Sequence, residues 1–205
     1  MKFEKILLAA SIAAVSTTAF ASTGGFYIGA NTGASFEKCS VEGQNPKKTK
    51  VIAEGVLGYD FHFDTIVLGM DFEFGTTFGK FNDYYGDMGS GYEFRYSRKT
   101  QWQLGFMPRI GYLITPDCEI YLTAGARVVK HKTIRTAIDS GSKAIDGIDS
   151  FKKTKVHPVA GLGMRYDFNP NLFAKFEYNY LFKTKCIPYT KYQAHGFKLG
   201  FGYKF

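Results

Sequence analysis

Residues 195–205 read HGFKLGFGYKF, and the two parities of this stretch are chemically opposite. Phe197, Leu199, Phe201, Tyr203 and Phe205 are large and apolar, whereas Gly196, Lys198, Gly200, Gly202 and Lys204 are small or cationic. Successive side chains of a β-strand point to opposite faces, so this strand has one wholly apolar face and one small or charged face. A soluble sheet gains nothing from such an outer face. A strand with lipid outside and a polar lumen inside requires it.

The same alternation recurs through the chain. Strand one, 26–36, sends Phe26, Ile28 and Phe36 outward. Strand two, 51–61, sends Val51, Leu57, Tyr59 and Phe61 outward and Glu54, Gly58 and Asp60 inward. Strand three, 66–78, places Ile66, Leu68, Met70, Phe72, Phe74 and Phe78 on one face, with Gly69, Asp71, Glu73 and Gly75 on the other. Strand four, 100–112, sets Trp102, Leu104, Phe106, Ile110 and Tyr112 outward. Pro108 shares that face and predicts a weakened ladder or a bulge. Strands five (119–129), six (156–168) and seven (172–182) follow the same rule with Arg127, Arg165 and Lys175 inward, and 195–205 is strand eight. Each segment is close to the roughly 9–11 residues that a tilted strand needs to cross a bilayer.

Residues 1–21 read as a secretory signal: Lys2 and Lys5, an apolar core, then Ala19-Phe20-Ala21 as a small-x-small cleavage site. Cleavage between Ala21 and Ser22 leaves a barrel domain over 22–205. The connections alternate in length. Phe63-Asp64-Thr65, Thr115-Pro116-Asp117 and Asn169-Pro170-Asn171 are short turns of turn-forming residues. The stretches 37–50, 79–99, 130–155 and 183–194 are long and polar. Short turns on one side and long loops on the other, with an even strand number and no free edge in lipid, define an all-β, eight-stranded antiparallel up-and-down transmembrane barrel.

Gly111-Tyr112 through Thr115-Pro116-Asp117 to Ile120-Tyr121, and Lys175-Phe176-Glu177-Tyr178, resemble recurrent pieces of the small opacity-type and OmpA-type outer-membrane barrels. The resemblance covers the mature chain and implies the outer membrane of a Gram-negative bacterium. Tyr203 and Phe205 resemble that family's C-terminal signature, which implies recognition by the barrel-assembly machinery. No counterpart of the peptidoglycan-binding domain follows strand eight, so a periplasmic anchoring role is not expected.

The inward parity carries Glu54, Asp60, Asp71, Glu73, Arg109, Arg127, Arg165, Lys175, Glu177 and Lys198, five acids against five bases. An eight-stranded barrel has an interior about wide enough for side chains to fill. Unpaired charges there are costly, so a salt-bridged plug is the expected arrangement. The alternative is a narrow porin-like channel for ions or small solutes.

Lys and Arg against Asp and Glu give +2, +1, +4 and +3 for the four long connections, against −3 for strands and turns of the mature chain. The positive charge is therefore concentrated at the outer surface. Lys130, Lys132, Arg135, Lys152, Lys153 and Lys155 flank the base of the third loop. Lipid and lipopolysaccharide of the outer membrane are the first expected partners, and anionic host surface molecules a further one. An exported barrel argues against nucleic acid. Tyr84, Tyr85, Tyr92, Phe94 and Tyr96, interleaved with Gly86, Gly89 and Gly91, are open to two readings. They form either an adaptable adhesive loop or an extension of the strand three–four hairpin.

Cys39 and Cys186 sit just past strands one and seven, in loops that barrel closure makes neighbours. A Cys39–Cys186 disulfide is expected in an oxidising compartment, and Cys118, in an opposite turn, stays free. The three Cys and four His do not cluster, so neither metal nor other cofactor is expected. The lipid A palmitoyltransferase is also an eight-stranded barrel, but its His, Asp and Ser arrangement and its amphipathic N-terminal helix have no counterpart here. No enzyme activity is expected. The sequence thus points to an envelope barrel with basic surface loops that also serve adhesion or host interaction.

Overall fold

The computed structural model describes residues 24–41, 47–79, 81–87, 92–139, 145–187 and 190–205. The signal segment and its Ala21–Ser22 junction lie outside the described residues. The strands are β1 (Gly25–Val41), β2 (Lys47–Phe63), β3 (Ile66–Phe78), β4 (Phe81–Asp87), β5 (Tyr92–Thr115), β6 (Cys118–Asp139), β7 (Ile145–Asp167), β8 (Leu172–Ile187) and β9 (Thr190–Lys204). They form one antiparallel sheet in the order β3-β2-β1-β9-β8-β7-β6-β5-β4, and β3 pairs with β5 to close it. β3 and β4 are one stave broken near Gly79, whose φ of 134° suits a residue without Cβ. Both halves pair with β5, so the barrel has eight staves.

Parity decides what each side chain meets. The outward residues form an apolar belt in which Phe74, Leu122 and Phe201 are 62%, 63% and 65% exposed. The inward residues are buried, among them Tyr27, Val67, Glu73 and Lys198. This is an inside-out core, polar within and apolar without, as a lipid-embedded sheet demands. The C-terminal strand closes on β1 through Tyr27↔Lys204 to Val41↔Thr190.

The short turns sit at one rim together with both ends of the barrel. Asp64 takes a φ of 55°, a setting its short polar side chain tolerates. The Asn169 carboxamide oxygen accepts hydrogen bonds from the backbone of Asn171 and Leu172 at 2.9 and 2.8 Å. The Asn171 side chain then donates to the Lys204 carbonyl at 3.0 Å, tying turn to terminal strand. Pro108 faces outward without a bulge. The β5–β6 pairing stops at Phe106↔Ala126 and resumes at Arg109↔Thr123 in the same register.

At the opposite rim the structure corrects the sequence reading. Much of 79–99 and 130–155 is not loop but sheet. β5 and β6 remain paired from Leu104↔Val128 up to Tyr92↔Asp139, and β6 and β7 up to Ile138↔Ile145. β4 adds a fourth strand through Phe81↔Arg98 to Asp87↔Glu93. The aromatic stretch with Tyr84, Tyr85, Tyr92, Phe94 and Tyr96 is therefore a strand extension. The β7–β8 ladder covers only Val159↔Leu181 to Asp167↔Phe173, so the four-stranded extension rises clear of the barrel wall. Hydrophobic alternation marks where a sheet meets lipid, whereas the hydrogen-bond ladder continues wherever two backbones stay in register.

Candidate functional site: a charge-filled lumen under a basic outer extension

All ten inward charges named from the sequence are buried in the lumen, each at most 5% exposed. Alternation on the strands puts them there, and strand register decides which of them meet. At the turn-side end, Asp60 bridges two guanidiniums. Arg109 binds one carboxylate oxygen and Arg165 the other, the latter at 2.5 Å. Arg165 also reaches Asp167 at 3.1 Å, and Lys204 closes that pair at the rim. Asp71 accepts from Lys175 at 2.6 Å and from the Tyr27 hydroxyl.

The middle of the lumen is organised around Lys198. Its ammonium sits between Glu73, Glu177 at 3.0 Å and Glu54 at 3.3 Å. Arg127 binds Glu73 and lies 3.5 Å from Glu54. Gln103 donates to Glu54 at 2.6 Å, while Tyr121 and Asn179 donate to Glu177 at 2.9 and 2.5 Å. Glu54, Glu73 and Glu177 would repel one another in this space. The two cations between them convert the repulsion into a cross-brace joining β2, β3, β6, β8 and β9.

Besides the Asp167–Lys204 rim pair, two ionic contributions lie outside the ten charges named from the sequence. Glu37 and Lys50 form a buried ion pair at 2.8 Å, nearer the outer end. Glu119 lies 4.0 Å from Arg109. Parity, extended one residue past the assumed strand ends, would have placed Glu37 and Lys50 inward, and Glu119 already stands at an inward position at the start of strand five. Aromatic rings complete the packing. Tyr27 lies opposite Gly58, Tyr121 opposite Gly163, and Phe173 opposite Gly202, each ring occupying the space a Cβ would take. Arg109 lies 5.6 Å from the Tyr27 ring and 5.1 Å from that of Tyr121, and Arg165 lies 3.9 Å from that of Phe173.

A lumen cavity bounded by Glu37, Thr77, Thr100, Gln103, Arg127 and Lys198 measures about 20 Å³, room for little more than one water. His131 and His157 point inward and are buried, whereas His195 lies on the outer surface, stacked on Phe36 at 5.3 Å. Among the described residues no three His, Cys, Asp or Glu side chains group as metal ligands do.

The six basic residues assigned to the base of a loop lie on β6 and β7, within sheet. Lys130 and Lys132 belong to β6 and face outward, opposite in parity to buried His131. The Lys130 ammonium lies 5.9 Å from the Trp102 ring. Arg135 pairs in register with Asp149. Lys152, Lys153 and Lys155 lie on the part of β7 that pairs with β6 alone, where exposed lysines discourage further strand pairing.

Cys39 and Cys186 lie in β1 and β8, not in loops. β9 runs between them: Tyr192 pairs with Cys39 on one side and with Thr184 on the other. Their side chains lie outside the described residues, so the disulfide remains an expectation. Cys118, at the start of β6, is a free thiol. Tyr203 and Phe205 stand on the outer face at the turn-side rim, their rings 5.3 Å apart in an edge-to-face contact.

Residues 6–205 match the family model described as the outer membrane protein beta-barrel domain. No curated protein matches the chain by sequence. Among solved structures, one similar fold is Ail, the attachment invasion locus protein of Yersinia pestis, in complex with the heparin analogue sucrose octasulfate. The identity is 16% over 88% of this chain and 99% of that one, with a TM-score of 0.46. Neisserial surface protein A is 18% identical over 88% and 97%, with a TM-score of 0.42. The N-terminal β-barrel domain of Pseudomonas aeruginosa OprF is 16% identical over 85% and 97%, with a TM-score of 0.40.

Proposed function

The chain belongs to the outer membrane protein beta-barrel domain family, and from that premise we propose that it is a sealed barrel displaying a basic sheet extension outside the cell. It resides in the bacterial outer membrane. The observation that carries the sealed reading is the lumen. Lys198 and Arg127 are braced among three carboxylates, and the cavity beside them measures about 20 Å³. A hydrated ion needs a continuous wet path, and a cross-braced ionic core of this density supports a lumen without one. Refolded protein in a planar bilayer should be electrically silent. Reproducible discrete conductance steps would refute the sealed reading and establish a narrow channel.

With the lumen filled, interaction falls to the extension above the outer rim. Its exposed lysines support contact with phosphates of lipopolysaccharide and with anionic host surface molecules. Cells expressing the protein should bind sulfated polysaccharide beads in a salt-sensitive manner, and cells expressing a version with 92–99 and 132–153 replaced by a short turn should not. Equal binding by both would remove the adhesive role and leave the envelope role. The reading includes no catalytic step. Tyr203 and Phe205 serve as the signal for the barrel-assembly machinery in this proposal. Phe205→Ala should fold in detergent yet reach the outer membrane of cells in reduced amount.

A further inference from the structure

Register places three lysines in one row across the outward face of the sheet: Lys99 of β5 is opposite Lys132 of β6, and Lys132 is opposite Lys152 of β7. The next row towards the membrane is Trp102, Lys130 and Thr154, and the one below it is wholly apolar, Leu104, Val128 and Val156. The row above the lysines is Ser97, Ile134 and Ser150. Four consecutive rows therefore contain four ammonium groups, one indole and no carboxylate.

Like charges directly opposite one another across strands are destabilising, because their Cβ atoms stand only about 5 Å apart. A row of three has no reason to persist on folding grounds. Solubility does not require it either, since charges of both signs would serve better. Its height is equally specific. Trp102 sits where indoles collect, at the boundary between hydrocarbon and headgroup, and the lysines stand immediately above it. Below, the same strands carry small outward side chains, Ala126 opposite Pro158 and Ala124 opposite Ala160, along which acyl chains can lie close to the backbone.

We propose that the outward face of β5–β7 is a docking site for a phosphorylated lipid of the outer leaflet, its phosphate held by Lys99, Lys132 and Lys152 with Lys130 beneath. The phosphate neutralises the lysine row and the acyl chains cover the small side chains below. The proposal rests on the outer-membrane reading and narrows its lipid contact to one face of the barrel.

Trp102 is the chain's single tryptophan, which makes it a reporter placed at the site itself. Full-length mature protein is refolded into neutral phosphatidylcholine vesicles, and its fluorescence is followed as diphosphoryl lipid A, dephosphorylated lipid A or inorganic phosphate is added. The expected result is a saturable change with the phosphorylated lipid, little with the dephosphorylated form, and none with inorganic phosphate at matched concentration. The triple variant Lys99→Ser/Lys132→Ser/Lys152→Ser should weaken the response at least about tenfold, since it removes three of the four ammonium groups that attract the phosphate. Relief of the like-charge row should leave its unfolding midpoint in neutral vesicles unchanged or raised. Equal responses from wild type and triple variant, or a full response to inorganic phosphate, overturn the site while the barrel stands. A chain that fails to insert into vesicles overturns the membrane reading and the site with it.

Discussion

Lys198→Met tests whether the lumen is a dry ionic core. The substitution keeps much of the aliphatic stem and deletes the ammonium, so little cavity is created and the effect is chiefly electrostatic. Glu54 and Glu73 then keep Arg127 as their ion-pair partner, and Glu177 loses its 3.0 Å ion pair, retaining the Tyr121 and Asn179 hydrogen bonds. Removing one partner of a buried ion pair costs about 3–5 kcal/mol, because the remaining charge is left without compensation. That corresponds to a shift of roughly 10²–10⁴ in the unfolding equilibrium. The rim pair Lys204–Asp167, whose side chains are 19% and 22% exposed, is the internal control. Lys204→Met should cost no more than about 1 kcal/mol, because water replaces the lost partner. The assay is a reversible urea titration of barrels inserted in lipid vesicles, followed by far-ultraviolet circular dichroism and by the gel mobility of the folded form. The double variant Lys198→Met/Glu73→Gln should recover part of the loss, because it removes one of the stranded carboxylates. If the two single variants differ by less than about 0.5 kcal/mol, water reaches the lumen charges and the sealed reading fails.

Arg127→Ala should destabilise by a similar amount, about 3–5 kcal/mol, and leave polysaccharide binding by whole cells unchanged. Gly58→Ala would drive a methyl group into the buried Tyr27 ring, and overpacking of this kind costs about 1–3 kcal/mol. Gly147→Ala, where no atom lies within 4 Å, should be nearly neutral in the same titration. Thiol labelling of the unfolded, unreduced protein should find one reactive cysteine, Cys118, if Cys39 and Cys186 are joined. Three labelled thiols would refute the pairing.

Parity is a local property, and the chain discloses it strand by strand. The eight-staved barrel, its apolar belt and the burial of Glu54, Asp71, Arg127 and Lys198 follow from which side chains stand at odd and even positions, since a pleated strand offers only two faces. Partnership is not local. Arg165 reaches Asp60 across 105 residues, and Lys198 reaches Glu54 across 144. Those meetings depend on how far each strand is shifted against its neighbour and on the closure of β9 against β1. The same is true of Tyr27 over Gly58 and of the row Lys99, Lys132, Lys152, which lie far apart in sequence and become neighbours only in register. The outer extension, which the sequence offers only as one of two readings of the aromatic stretch, was hard to read for a different reason. Above the membrane both faces of a strand meet water, hydrophobic alternation disappears, and polar strands read as loops while their backbone hydrogen bonds continue. The sequence by itself determined what faces lipid and what faces inward. Only the tertiary structure decided which charges are paired, because strand register, a relation between distant segments, sets the distances over which charges act.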